Sequence, residues 1–191
     1  MIKSLREKIS NDLQESRITL KVIILFLPIA FFTYFFHEFG HWMFGELSGN
    51  DMTLGLNTSA PKSGYFIHQS HALWSAVGGP AFTIIQAFVF LLITRATNSI
   101  YAYSCTFFAA FSRFFSIVFG GITVQDEARI ASMTNANMYI VAAIVLAILF
   151  LILWNGSRIM KLNTKAAGYF TVVGTCAILV VIGVNKFMMT E

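Results

Sequence analysis

His37-Glu38-Phe39-Gly40-His41 sets two imidazoles four residues apart, with a carboxylate directly after the first. Residues four apart share one face of an α-helix, so both rings can grip a single ion from the same side. Zinc is the divalent ion that a paired-imidazole site of this kind most commonly holds, and one Zn2+ per chain is expected. Glu38 follows the first ligand and can lean towards the open coordination position. There it can take a proton from metal-bound water and later pass it to a leaving amine, the role of a catalytic general base. The metzincin extension would require Gly at position 44 and His at position 47; Phe44 and Leu47 stand there, so that class is excluded.

A catalytic zinc keeps three protein ligands and one open position, so a third side chain is needed. Asp51, His68, His71, Asp126 and Glu127 are the candidates. The first apolar run crosses and ends beside the motif, the second returns, and the third crosses again and ends just before Asp126. Asp126 is therefore on the motif's side and is the expected ligand, with Glu127 as the alternative. His68 and His71 precede the second run on that same side, where an ordinary loop role is the simpler reading.

The elements that must position these groups are apolar helices. Of the 191 residues, 57% are hydrophobic and only 12% charged, against roughly 25% charged in soluble domains. Uncharged runs of about 20 residues recur, the length that crosses about 30 Å of hydrocarbon. We read an all-α integral membrane protein with five transmembrane helices over 22–44, 72–94, 100–123, 138–154 and 167–184. Residues 1–21 form an N-terminal segment in which Ile2, Leu5, Ile9 and Leu13 recur at helical spacing, apart from Lys3, Arg6 and Lys8. That is the pattern of an amphipathic helix on a membrane surface. Residues 22–130 make a three-helix core that carries the chemistry, and 131–191 add two further helices. The loop 45–71 places MTLGLN and SGYFIHQS on either side of Ala60-Pro61-Lys62, which suggests a short hairpin or an extended segment.

Lys and Arg set the orientation. With the N-terminus inside, the inner side collects Lys3, Arg6, Lys8, Arg17, Lys21, Arg95, Arg158, Lys161 and Lys165, and the outer side Lys62, Arg129 and Lys186. That bias favours a cytoplasmic N-terminus and a multi-pass position in a prokaryotic cell membrane. The net charge of +4 comes mostly from such helix-end residues and is no nucleic-acid signal. Cys105 and Cys176 both lie within apolar runs, which argues against a disulfide framework. The polar leader reaches Lys21 with no A-x-A-like site after the apolar run, so no cleavable signal peptide is expected.

Two further features of the core call for explanation. Gly78-Gly79-Pro80 interrupts the second run: Pro80 removes a backbone donor and paired glycines permit close approach or unwinding. A helix broken there would offer backbone groups to a substrate strand; a kink that packs two helices is the plainer alternative. Arg113 is the lone charge of the third run and should seek a carboxylate, in a structural rather than catalytic role. Thirteen residues separate it from Asp126, about 20 Å along a continuous helix. A direct pair therefore requires a bend near Gly120-Gly121.

The HEFGH motif in a transmembrane run, Gly78-Gly79-Pro80 in the next and Asp126 after a third resemble the site-2 protease family of intramembrane zinc metalloproteases, over about residues 22–130. The resemblance implies zinc held by His37, His41 and Asp126, Glu38 as the base, and cleavage of transmembrane protein or peptide substrates in the lipid bilayer. It also implies a substrate-binding or gating role for Gly78, Gly79 and Pro80, with Gln86 offering the amide that family members carry as Asn. The chain departs from the family pattern at the third motif, where Gln125-Asp126-Glu127-Ala128 has neither the Pro nor the Gly that usually flank the Asp. It also departs in orientation, since the charge bias puts the motif nearer the outer face. A metal-binding transporter, with Glu38 as a ligand, and a non-catalytic membrane scaffold are the competing readings.

Overall fold

The structure, a computed structural model, describes residues 2–188; the side chains of Ile2, Lys3, Leu5 and Arg6 lie outside those described. Among the described residues there are seven α-helices: α1 (Ile2–Glu15), α2 (Leu20–Leu47), α3 (Gln69–Thr97), α4 (Ile100–Phe119), α5 (Asp126–Thr134), α6 (Met138–Met160) and α7 (Thr164–Met188). Five of them, α2, α3, α4, α6 and α7, are long and apolar enough to cross a membrane. Their outward faces carry large apolar side chains such as Ile140, Leu151, Trp154 and Val172, each more than half exposed. Such a continuous apolar surface suits hydrocarbon rather than water.

The most apolar stretch of α4 is 72% buried inside the protein and that of α6 only 11%, so α4 is the central helix and α6 is peripheral. Packing around α4 is aromatic. Phe26 of α2, Phe107 and Phe108 of α4 and Phe170 of α7 interlock, with ring centroids 5.2–6.3 Å apart. These tilted and edge-on arrangements are favoured by the ring quadrupoles. Helix α1 sets Leu13 against this core and pairs Asp12 with Lys165 of α7 at 2.6 Å. Arg17, in the left-handed region at φ 56°, ends it.

Contrary to the expectation of a broken helix, α3 runs uninterrupted through Gly78, Gly79 and Pro80. The glycines serve close packing instead: a Cβ on Gly78 would collide with the backbone of Gly40, and one on Gly40 with the backbone of Gly78. Small residues facing each other let two helix backbones touch. Gly78→Ala is accordingly expected to force α2 and α3 apart and to cost about 1–3 kcal/mol, read as a lowered unfolding temperature in detergent.

All five long helices differ in extent from the sequence reading, and two of those differences and the form of the loop bear on the fold. The third long helix stops at Phe119 rather than 123, because Gly121 adopts φ 89°, and a single 3-10 turn, Ile122–Val124, then carries the chain into α5. The fourth continues through Asn155-Gly156-Ser157 to Met160 before Lys161 turns left-handed. In the loop, the hairpin lies wholly within MTLGLNTSAP, as β1 (Met52–Leu54) paired antiparallel with β2 (Ser59–Pro61). The stretch SGYFIHQS forms no strand but a turn at Gly64 (φ 81°) and the start of α3.

Candidate metal centre

On α2, Tyr34, His37, Glu38 and His41 fall three and four residues apart and so face one way. His37 Nε2 and His41 Nε2 stand 3.2 Å apart. The reversal at Gly120-Gly121 returns the chain so that Asp126, first residue of α5, reaches both rings. Its Oδ2 lies 3.1 Å from His37 Nε2 and its Oδ1 3.3 Å from His41 Nε2. Without a metal these contacts are hydrogen bonds or ion pairs only where an Nε2 carries a proton. Tetrahedral zinc with bonds of about 2.0–2.1 Å separates its ligand atoms by about 3.3–3.4 Å; the two imidazole nitrogens come close to that, and Asp126 meets each of them with a different carboxylate oxygen.

The far side of each ring settles which nitrogen carries the proton. His41 Nδ1 lies 2.7 Å from the carbonyl oxygen of Ser75, which only accepts, so Nδ1–H donates. His37 Nδ1 lies 2.9 Å from Thr83 Oγ1, whose own proton goes to the Gly79 carbonyl at 3.1 Å, so this Nδ1–H donates too. In the neutral rings both Nε2 atoms are therefore lone-pair donors, turned towards each other and towards a carboxylate. Partners that fix the tautomer in this way are what oriented metal-binding imidazoles require.

Three buried carboxyl groups, Glu38, Asp126 and Glu127, stand with the single buried guanidinium of Arg113, an acid-rich setting that suits a cation. Gly79 supplies the space, because a Cβ there would meet His37 Nε2 and His41 Nε2. The ligand atoms of His37, Glu38 and His41 all lie within 4.8 Å of one another, and this group could hold a metal ion.

The donor group opens into a cavity of about 490 Å³. Thr33, Tyr34, Ser112, Ser116 and Gln125 give it a polar side, and Phe115, Phe119, Val124 and Ile182 an apolar one. Asn57 from the hairpin turn and Ile182 from α7 bring the loop and the last helix to its rim. Glu38 faces this space and is 8% exposed.

The remaining candidates lie elsewhere. Both carboxylate oxygens of Glu127 are taken by Arg113, one of them at 2.8 Å from Nε. Asp51 pairs with Lys62 at 2.8 Å on the surface, and this hydrogen bond and the Asp51 charge raise the Lys62 pKa. His71 Nδ1 lies against the Asn50 amide at 3.3 Å, and His68 stacks edge-on against His71. Gln86, expected at a substrate, is buried between helices and donates through Nε2 to Thr33 Oγ1 at 2.8 Å, outside the cavity lining. Arg113, expected to hold the bundle, reaches Asp126 Oδ2 at 3.0 Å, which the chain reversal makes possible. Ser75 and Thr83 were not singled out by the sequence reading; Thr83 is four residues after Gly79 on α3, a spacing that carries no motif. Compared with family models, with curated proteins and with solved structures, the chain matches none.

Proposed function

We propose that this protein is a zinc-dependent intramembrane protease, of the kind the site-2 protease family represents, which hydrolyses peptide bonds in or near transmembrane segments of membrane proteins. The observation that carries the reading is the convergence of His37 Nε2, His41 Nε2 and the Asp126 carboxylate, with both imidazole protons directed away. Those three side chains would hold one zinc per chain. Zinc, when bound, supplies a water acidified to a pKa of about 7 and a Lewis acid for the scissile carbonyl.

Glu38 then has the general base's place: on the ligand face of α2, one residue after His37, and open to the cavity. Its carboxylate takes the proton of the attacking water and returns it to the nitrogen of the leaving amine. Thr83 and the Ser75 carbonyl keep the two rings in register through this exchange. An unwound peptide segment suits a cavity with one polar and one apolar side, since its backbone needs hydrogen bonds and its side chains do not. The apolar exteriors of the five long helices support a site of action in the bilayer, and the Lys and Arg content supports a cytoplasmic N-terminus.

The zinc is tested by elemental analysis of purified protein. About one zinc per chain is expected in the wild type and a large loss in His37→Ala, because an open site needs its three protein ligands. Unchanged zinc in His37→Ala would sink the reading. Cleavage of candidate single-span proteins by the wild type tests the activity itself.

A further inference from the structure

Beneath the three donor groups, one guanidinium joins two consecutive carboxylates. Arg113 Nε donates to Glu127 Oε1 at 2.8 Å, and Nη2 donates both to Glu127 Oε2 and, at 3.0 Å, to Asp126 Oδ2. Arg113 is 6% exposed, Asp126 8% and Glu127 0%. Glu127 does not line the cavity, whereas Asp126 does. Burying a charged pair costs several kcal/mol per ion before any is recovered, and apolar residues of equal volume often do as well or better for stability. Stability is thus a weak reason for this chain to keep a carboxylate and a guanidinium wholly inside.

We propose that Glu127 and Arg113 form a positioning clamp for the third metal ligand. Glu127 fixes the plane of the guanidinium, and the guanidinium fixes Oδ2 of Asp126, so the carboxylate meets the two imidazoles in one orientation. The inference rests on Asp126 being a zinc ligand.

The planar guanidinium makes this possible. Its Nε and Nη2 edge matches the two oxygens of Glu127, a bidentate grip that leaves the plane no freedom to rotate. Nη2 has a second hydrogen, and that one points at Asp126. Consecutive helical residues diverge by about 100°, so Asp126 and Glu127 meet one side chain only because Arg113 approaches from α4 between their directions. Engaging Oδ2 leaves Oδ1, 3.3 Å from His41 Nε2 and 3.9 Å from the half-exposed Arg129 Nη1, without a hydrogen bond from Arg113. That disfavours a symmetric two-oxygen grip on the ion and preserves the open position that water needs. Glu127 and Arg113 are positioning residues, acting on the ion only through Asp126.

Zinc affinity by chelator competition, and the visible spectrum of the cobalt(II)-loaded protein, test the clamp in detergent-purified full-length chain. Glu127→Gln, which keeps the side-chain volume, is expected to weaken zinc binding roughly 10–100-fold, the usual cost of losing a partner that orients a ligand. Its cobalt bands should lose intensity as the tetrahedral arrangement loosens. Arg113→Lys should not restore affinity, because an ammonium is a point charge and cannot fork to both carboxylates. The double variant Arg113→Met with Glu127→Met removes that buried pair together and leaves Asp126 without its guanidinium; in the folded protein it should bind zinc as weakly as Glu127→Gln. Wild-type zinc affinity in the folded double variant would overturn the clamp and leave the pair a packing element. Where the double variant does not accumulate, Glu127→Gln decides by the same criterion. His37→Ala separates the two inferences: loss of zinc there with full affinity in Glu127→Gln ends the clamp alone, whereas zinc retained in His37→Ala ends the metal reading itself.

Discussion

Glu38→Gln is expected to lower the cleavage of a single-span substrate by about 10²-fold or more while zinc content stays at the wild-type level. The substitution keeps the shape of a side chain that is 8% exposed and faces the cavity, so packing around His37 and His41 should hold. What disappears is the ability to accept a proton from the attacking water and return it to the leaving nitrogen. The paired measurement, metal by elemental analysis and turnover by gel-based cleavage, separates three roles. Normal cleavage would show that Glu38 is not the base. Loss of zinc along with activity would make Glu38 a ligand, as a transport site would use it, since its carboxylate lies within 4.8 Å of both imidazoles. An inert scaffold would show no cleavage in the wild type either.

Asp126→Ala is expected to lose zinc and activity together, by more than the roughly 10–100-fold that the loss of an orienting partner costs. Two imidazoles alone leave the coordination open; Glu127 is held by Arg113 and Asp51 by Lys62, so only Glu38, within 4.8 Å of both imidazoles, stands near enough among the described carboxylates to replace Asp126, and doing so would cost its role as the base. The fold should survive, because Arg113 keeps Glu127 as its counter-charge. The reverse substitution, Glu127→Ala, leaves a buried guanidinium with a single partner, so it burdens the fold as well as the site. A mild effect at Glu127 is therefore not expected, although position alone suggests one. Zinc retained after dialysis of the Asp126→Ala protein against chelator would exclude Asp126 as the third ligand and return the search to Glu127, His68, His71 and Asp51.

The sequence by itself determined what local geometry and solvent transfer dictate. His37 and His41 share a face because helical hydrogen bonds, four residues long, place them so whatever surrounds them. The five long helices follow from apolar runs of membrane-crossing length, and the paired strands from turn formers between semi-apolar stretches. Where the answer depended on which surfaces meet, the tertiary structure decided. Gly78-Gly79-Pro80 is compatible with a break or with close packing, and the backbone of Gly40 pressed against Gly78 selects packing. Glycine at 120 and 121 permits many conformations, and the one adopted folds α5 back so that Asp126 lies beside Arg113 rather than about 20 Å beyond it. The proton on each imidazole was likewise set from afar, by Thr83, 46 residues from His37, and by the Ser75 carbonyl, 34 residues from His41. A ligand's residue type is written in its own few neighbours, but its tautomer and aim depend on partners that only the packing of α2 and α5 against α3 brings within hydrogen-bond reach.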